Sequence, residues 1–186
     1  MFFSKIFVSA VAVLTAATGV FASPVASSSS FTDIVKRGGS PTDVCQHAYD
    51  SCHPYIGQIT PSAPAAVVEI AVDAMVNIFA EVNVALNAYV DVNVDAEIVA
   101  IVNISVKLIA ELLAAIQACA SVSVAILAKI DLFIKAYLAI LAKINVAICS
   151  KIVVDLPVHI KLFIFAKLTL VVNLLALLNI GLSISL

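Results

Sequence analysis

The chain has 186 residues and a formal net charge of −2, and 63% of its residues are hydrophobic while 12% are charged. Ordinary globular domains contain about 45–50% apolar and about 25% charged residues. The lysines are spread singly, which excludes the dense basic patch of a nucleic-acid-binding protein. A domain of this size buries only about 70% of its unfolded surface, so the composition predicts exposed apolar patches that serve as interaction or membrane surfaces.

Residues 1–22 have the pattern of a secretory signal peptide. Lys5 precedes an apolar run from Ile6 to Val20, and Ala22 completes a small-residue cleavage pattern. The run is short for a bilayer span, and small polar residues follow it in place of a basic flank. We therefore expect a secreted protein with an extracellular or cell-wall location.

Residues 23–37 have the composition of a propeptide. They are rich in serine, lack a helical hydrophobic period and end at Lys36 and Arg37, just before Gly38 and Gly39. A dibasic pair beside a flexible segment is accessible to a protease. We predict cleavage after Arg37, which would leave a mature chain of residues 38–186; the alternative is that the two cations adjoin by chance.

Residues 38–61 form a cysteine-bearing N-terminal segment, within which a short helix is predicted from Asp43 to Cys52. His47 and His53 lie close to Cys45 and Cys52, as in some metal sites. Structural zinc sites, however, prefer cysteines two to four residues apart, and here the spacing is seven. We expect no metal and no cofactor.

Residues 62–186 are predicted to form a hydrophobic helical domain. No glycine or proline occurs from residue 65 to 156, whereas a sheet protein needs turn residues every 8 to 12 positions. Polar residues recur every fourth position, as in Glu69, Asp73 and Asn77. The pattern predicts an all-α fold, a bundle of about four long helices with antiparallel neighbours. The helices are expected near residues 63–89, 96–118, 123–150 and 156–181, with Val90 to Asp95 as an extended connection.

A hexapeptide repeat and an uneven charge distribution mark the predicted helices. The sequence from Ile126 to Asp131 returns fourteen residues later, from Ile140 to Asn145. Fourteen residues are two heptads, which favours coiled-coil-like packing, although low-complexity drift explains the repeat equally well. Residues 38–115 carry a net charge of −8 and residues 116–186 carry +4. We expect the two halves to attract each other.

Cys45, Cys52, Cys119 and Cys149 are disulfide candidates, because four cysteines in an exported chain favour two bridges. A bridge needs Cα atoms within about 7 Å. An unbroken helix over residues 123–150 would separate Cys119 from Cys149 by about 40 Å. Internal pairing therefore requires the chain to turn back, and we expect it to do so around Asp131 to Lys135. Otherwise some cysteines stay free or pair between molecules.

The chain lacks the motifs of an enzyme. It has no hydrolase elbow, phosphate-binding glycine loop or Cys-x-x-Cys pair, and we predict no catalysis. His159 follows Pro157 among apolar neighbours and is expected to be solvated or to cap a helix. Asn103 begins the sequence Asn-Ile-Ser and is a glycosylation candidate if it lies on an exposed helix face.

Two uncharged runs, Leu112 to Ala128 and Leu168 to Leu186, approach the ~20 residues that span a bilayer. Both contain asparagine, glutamine or serine, which suits a buried bundle helix as well as a span. A membrane-active or lipid-binding helical protein is therefore the alternative function.

The order of signal peptide, serine-rich propeptide, Lys36–Arg37 site, cysteine-bearing start and hydrophobic C-terminal half resembles fungal secreted proteins. It is similar in size and layout to the hydrophobic, non-hydrophobin secreted proteins of mushroom-forming fungi that support aerial hyphae and hyphal attachment. Hydrophobins themselves have eight cysteines with adjacent pairs, and this chain has four with none adjacent. The resemblance implies a structural or adhesive surface protein of a cell wall or matrix. Its expected partners are itself, hydrophobic surfaces and cell-wall components.

Overall fold

The computed structural model describes residues 30–180, which form eight α-helices and no β-strand. The predicted signal peptide with Ala22, and residues 181–186, lie outside the described residues. The all-α prediction is confirmed. The helices are α1 Phe31–Lys36, α2 Pro41–Ile56, α3 Ala65–Leu86, α4 Asp95–Ala118, α5 Val124–Ile144, α6 Val146–Asp155, α7 Val158–Lys167 and α8 Thr169–Leu177.

A tight turn joins α1 to α2. The amide of Gly38 donates to the carbonyl of Val35, and the amide of Gly39 donates to that of Ile34, at 3.0 and 2.9 Å. With a φ of 76° at Gly38, these bonds form the Schellman motif that ends many helices. A Cβ on Gly39 would lie 2.5 Å from a side-chain carbon of Ile34. The two glycines therefore end a helix, where the sequence predicted a flexible segment without helical structure.

Five helices close a ring around the core. Helix α2 packs on α3 and α4, α4 packs on α6, α6 packs on α5, and α5 packs on α3. The remaining helices lie outside this ring: α1 contacts α2 and α3, α7 contacts α4, and α8 contacts α5 and α7. The predicted bundle of about four long antiparallel helices is not formed, because α2 occupies the place beside α3 that α4 was expected to fill.

Helices α3 and α5 run parallel in a constant register. Lys129 lies 2.6 Å from Asp73, and Lys143 donates to Asn87; each pair is 56 residues apart in sequence. Both members of the α5 repeat thus contact α3 in the same way, as a two-heptad repeat predicts. Lys129 also lies 3.3 Å from Glu69, so this contact joins the acidic and basic halves as their charges predict.

The predicted helix over residues 123–150 is broken at Asn145. Its backbone is extended, its Oδ1 accepts from the amide of Ala147, and its Nδ2 donates to the carbonyl of Val92, both at 2.9 Å. Asn145 therefore caps α6 and ties it to the connection before α4. The turn expected around Asp131 to Lys135 was wrong: those residues are inside α5. The predicted helix over 156–181 is also divided, into α7 and α8, which bend by 102° at Leu168.

A small polar cluster lies at the centre of the ring. The hydroxyl of Tyr137 is 2.8 Å from the Ser105 hydroxyl and 3.5 Å from the sulfur of Cys45, and all three residues are buried. The ring of Phe79 stacks on Phe133 and meets Tyr137 edge to face. Burial raises the pKa of Tyr137 well above its ordinary value, and the neighbouring Cys45 adds to this. The cluster fixes α2, α4 and α5 around one point.

Candidate interaction surface

Helix α7 has apolar residues on its outer as well as its inner side, so packing against the bundle leaves an apolar stripe exposed. Ile160 and Ile164 are buried. Val158, Leu162 and Phe165 are 44%, 45% and 64% exposed. Their spacing of four and three residues places them on one side of the helix.

Helix α8 also leaves large apolar side chains exposed beyond the bend. Val171 and Leu175 are buried, whereas Leu170 and Leu177 are 37% and 81% exposed. Phe165 and Leu170 flank the bend at Leu168. We define the C-terminal apolar face by its exposed large side chains, which are Val158, Leu162, Phe165, Leu170 and Leu177.

The C-terminal apolar face has cationic but no acidic neighbours within its own helices. Residues 156–180 contain no Asp or Glu, and Lys167 is exposed among them. Lys161 is buried, and its Nζ donates to the carbonyl of Val154 at 2.7 Å near the C-terminus of α6. A cation is favourable at that end of a helix. The exposed charge on α7 and α8 is therefore positive.

Exposed apolar residues on α3 have a different setting. Ile70 and Val84 are 64% and 67% exposed, as much as Phe165. Exposed carboxylates of Glu69, Asp73 and Glu81 follow the same helix surface. Isolated apolar residues among charges are normal on a soluble protein, so α3 provides a matched reference for the C-terminal apolar face.

A buried carboxylate positions α8 on the bundle. Asp131 of α5 is 5% exposed and accepts from the amides of Leu170 and Val171 at 2.8 and 2.9 Å. The negative charge meets the positive end of the α8 dipole and satisfies two of its free amides. This role of Asp131 could not be predicted from local sequence patterns. Its one signal was the repeat, in which Asp131 aligns with Asn145, the cap of α6.

The remaining contact of α7 with α4 is weaker. The side-chain amide of Gln117 donates to the carbonyl of His159 at 3.4 Å. The His159 side chain is exposed, as expected for a solvated residue. Helices α7 and α8 are therefore held by the buried Leu168, by Asp131 at the start of α8 and by the contact of Lys161 with the end of α6.

The first uncharged run lies in α4 and at the start of α5, and the structure describes the second only as far as Ile180. Among residues 30–180, α4 alone is long and apolar enough by itself to cross a bilayer, with a mean hydropathy of 2.1. It packs on α2, α6 and α7. The run from Leu112 to Ala128 is interrupted between α4 and α5, and α8 has only 9 residues. Helices α7 and α8 together also pass the hydropathy criterion, but as a pair bent by 102°.

All four cysteines are free and buried, so the internal disulfides that we expected are absent. Cys45 faces Tyr137, and the sulfur of Cys149 lies 3.8 Å from the carbonyl of Leu138. Burial raises the pKa of Cys45 and Cys52 to about 12 and that of Cys149 to about 11. These groups are neutral thiols at physiological pH.

Alkylation will test the state of the cysteines. In native buffer a thiol reagent should modify Cys45, Cys52 and Cys149 slowly, because they are buried and protonated. In denaturant without reductant, mass spectrometry should find all four cysteines modified. A chain that gains no mass until reductant is added would contradict the free thiols.

The two histidines near the first cysteines have separate partners. The ring of His47 packs against Phe31 with centroids 4.6 Å apart. The Nδ1 of His53 lies 3.4 Å from Glu111, which also accepts from the Tyr49 hydroxyl. Within the described part of the chain no three metal-binding side chains come together.

The other predicted sites are on the surface. Asn103 is exposed on α4, although Ser105 of the same sequon is buried against Tyr137. Lys36 and Arg37 are exposed at the end of α1. Asn103 and the Lys36–Arg37 pair can therefore be reached from solvent in the folded chain.

A cleft between α3 and α5 has a volume of about 280 Å³. Its walls are mainly apolar, and Asp73, Asn83 and Lys129 are its polar members. Ligand pockets usually measure about 300–1,000 Å³ and enclose most of the ligand. The cleft is therefore small for a lipid chain.

In comparisons with protein-family models, curated proteins and solved structures, nothing matches this chain.

Proposed function

We propose that the protein is an exported structural or adhesive protein that coats hydrophobic surfaces and self-associates through the C-terminal apolar face. The observation that supports this most strongly is the set of five exposed large apolar side chains on α7 and α8. They lie in a segment without a single carboxylate. Patches of this kind usually mark interaction surfaces.

The proposed mechanism is adsorption by burial of apolar surface. Fully burying one leucine or phenylalanine side chain contributes about 1.5–3 kcal/mol. Several such side chains on two adjacent helices can therefore hold the protein at an apolar surface. The five-helix ring would act as a support, because a continuous apolar core holds its helices together.

The location follows from the N-terminal pattern and from the resemblance to fungal secreted proteins. The test is to fractionate culture medium, cell wall and membrane and to sequence the N-terminus of the mature form. We expect medium or cell wall, with a start at Gly38. Stable retention as an integral membrane protein would contradict an adhesive coat protein.

A second candidate function is binding to lipid membranes, which the exposed Lys167 beside the C-terminal apolar face favours. Attraction to anionic lipid falls as salt rises, whereas burial of apolar surface does not. The two functions therefore differ in their response to ionic strength.

The deciding experiment compares two surfaces for the same protein. A rise in surface pressure at an air–water interface that persists in high salt supports the coat protein. Binding that is confined to vesicles of phosphatidylserine and phosphatidylcholine, and that salt abolishes, supports the membrane function and contradicts the first proposal.

A further inference from the structure

Part of the segment expected to be removed as a propeptide is packed on the bundle as α1. Phe31 is 4% exposed and lies against His47, while Ile34 and Val35 pack on the core. These three positions share one side of the helix. Helix α1 therefore covers a surface formed by α2 and α3, which it contacts.

The attachment of α1 to the bundle depends on its covalent connection to the residues that follow it. Helix α1 has 6 residues, and isolated helices shorter than about 12–15 residues are marginal in water. Its last carbonyls are satisfied by the amides of Gly38 and Gly39, and the Tyr89 hydroxyl donates to the carbonyl of Gly39. Beyond the paired basic residues, Gly39 is held by Tyr89 of the connection after α3, whereas α1 itself is held only by its short apolar side against α2 and α3.

The bond between Arg37 and Gly38 separates α1 from this anchor. Lys36, Arg37 and Gly38 are all exposed. Short helices with few buried contacts open locally at low cost, so the last turn of α1 can unwind into the extended form that a protease binds. Cleavage at this bond would remove the covalent connection on which α1 depends.

We propose that α1 is a cleavable strap, which an endopeptidase selective for paired basic residues releases by cutting after Arg37. Water supplies the hydroxyl group that becomes part of the Arg37 carboxylate and the proton that Gly38 nitrogen gains as the C–N bond breaks. The short helix then dissociates. It uncovers the apolar surface of α2 and α3 around His47.

Release of α1 gives the molecule a second apolar surface. Helix α1 lies on α2 and α3, whereas α7 and α8 lie on α4 and α5. A chain with apolar surfaces on different helices can contact two neighbours at once. This consequence for assembly rests on the proposed function, but the release of α1 does not.

The experiment treats the full chain with a paired-basic endopeptidase and follows it by N-terminal sequencing, size exclusion and an apolar-surface dye. We expect one cut before Gly38, elution of the peptide ending at Arg37 apart from the bundle, and a rise in dye fluorescence of about twofold as one patch is added to another. The double variant Lys36→Gln with Arg37→Gln should remain uncut and show no rise.

A second variant releases the strap without a protease. In Gly39→Ala the new Cβ would clash with Ile34, so α1 should detach and dye fluorescence should rise in the uncut chain. Co-elution of the cut peptide with the bundle, or unchanged fluorescence in both the cut chain and Gly39→Ala, would overturn the strap. Loss of adsorption by the C-terminal apolar face is a separate readout, so failure of the proposed function would be recognised independently.

Discussion

Raising the pH from 9 to 11 is expected to lower the free energy of unfolding by about 6–8 kcal/mol, because three buried thiols stay protonated only in the folded chain. Cys45, Cys52 and Cys149 have raised pKa values, and burial is the cause in each case. A domain is stable by only about 5–15 kcal/mol. The protein should therefore approach its unfolding transition near pH 11.

The direction follows from the proton balance of each thiol. In the unfolded chain a thiol loses its proton near its ordinary pKa of 9.0, whereas the folded chain holds the proton to a pKa of about 12 in Cys45 and Cys52 and about 11 in Cys149. Stability is thus complete below pH 9 and declines above it. Each thiol lowers the free energy of unfolding by about 1.4 kcal/mol per pH unit between its unfolded and its folded pKa. Tyr137, whose pKa is also raised, acts in the same direction.

Denaturant unfolding at a series of pH values under reductant measures this effect. Cys52→Ala is the matched control, because it removes one of the three titrating thiols. It should reduce the slope of unfolding free energy against pH by about one third. A free energy that stays constant from pH 9 to 11, or the same slope in Cys52→Ala, would show that these thiols do not titrate as described.

Asp131→Ala is expected to destabilise the protein by about 3–5 kcal/mol, since two charge-assisted hydrogen bonds are lost and one buried and one partly buried amide are left unpaired. Those amides belong to Leu170 and Val171 at the start of α8. The effect should be local as well as global. Hydrogen exchange in α8 should accelerate more than exchange in α3.

Asn145→Ala provides the control for Asp131→Ala, because it removes a helix cap at the equivalent position of the repeat. Asn145 is neutral, accepts from one amide and donates to the Val92 carbonyl, so the expected loss is about 2 kcal/mol. Asp131→Asn keeps the shape but not the charge and should fall between the two. Unchanged exchange in α8 of Asp131→Ala would mean that the carboxylate does not hold this helix.

The existence of the long helices could be predicted, but two of their ends could not. The absence of glycine and proline from residue 65 to 156 indicated α3, α4 and α5. The same absence concealed the break at Asn145, which depends on a hydrogen bond to Val92 far away in sequence. The bend at Leu168 likewise depends on Asp131. Tertiary caps decide these boundaries, and local patterns do not report them.

The pairing of the helices could also be predicted from the sequence only in part. Short connections favoured antiparallel neighbours, whereas the fourteen-residue repeat of α5 pairs in parallel with Asp73 of α3 and with Asn87 at the end of that helix. Helix α1 was not predicted because it is short and follows a run of serines. It is stabilised by the burial of Phe31 and by the glycine turn at its end.

The composition predicted exposed apolar surface but not its position. In α7 apolar residues occur on both the inner and the outer side of the helix, so the periodicity cannot separate the buried Ile160 and Ile164 from the exposed Leu162 and Phe165. Only packing on the bundle selects the outer stripe. The structure, and not the sequence pattern, therefore identifies Leu162 and Phe165 as exposed.

Adsorption of matched double variants to a hydrophobic surface tests the proposed function most directly. Leu162→Gln with Phe165→Gln changes the C-terminal apolar face, and Ile70→Gln with Val84→Gln changes two similarly exposed residues on α3. We predict adsorption at least about 10–100-fold weaker for the first pair and nearly unchanged for the second. Equal adsorption of the two folded variants would contradict the assignment of adhesion to the C-terminal apolar face.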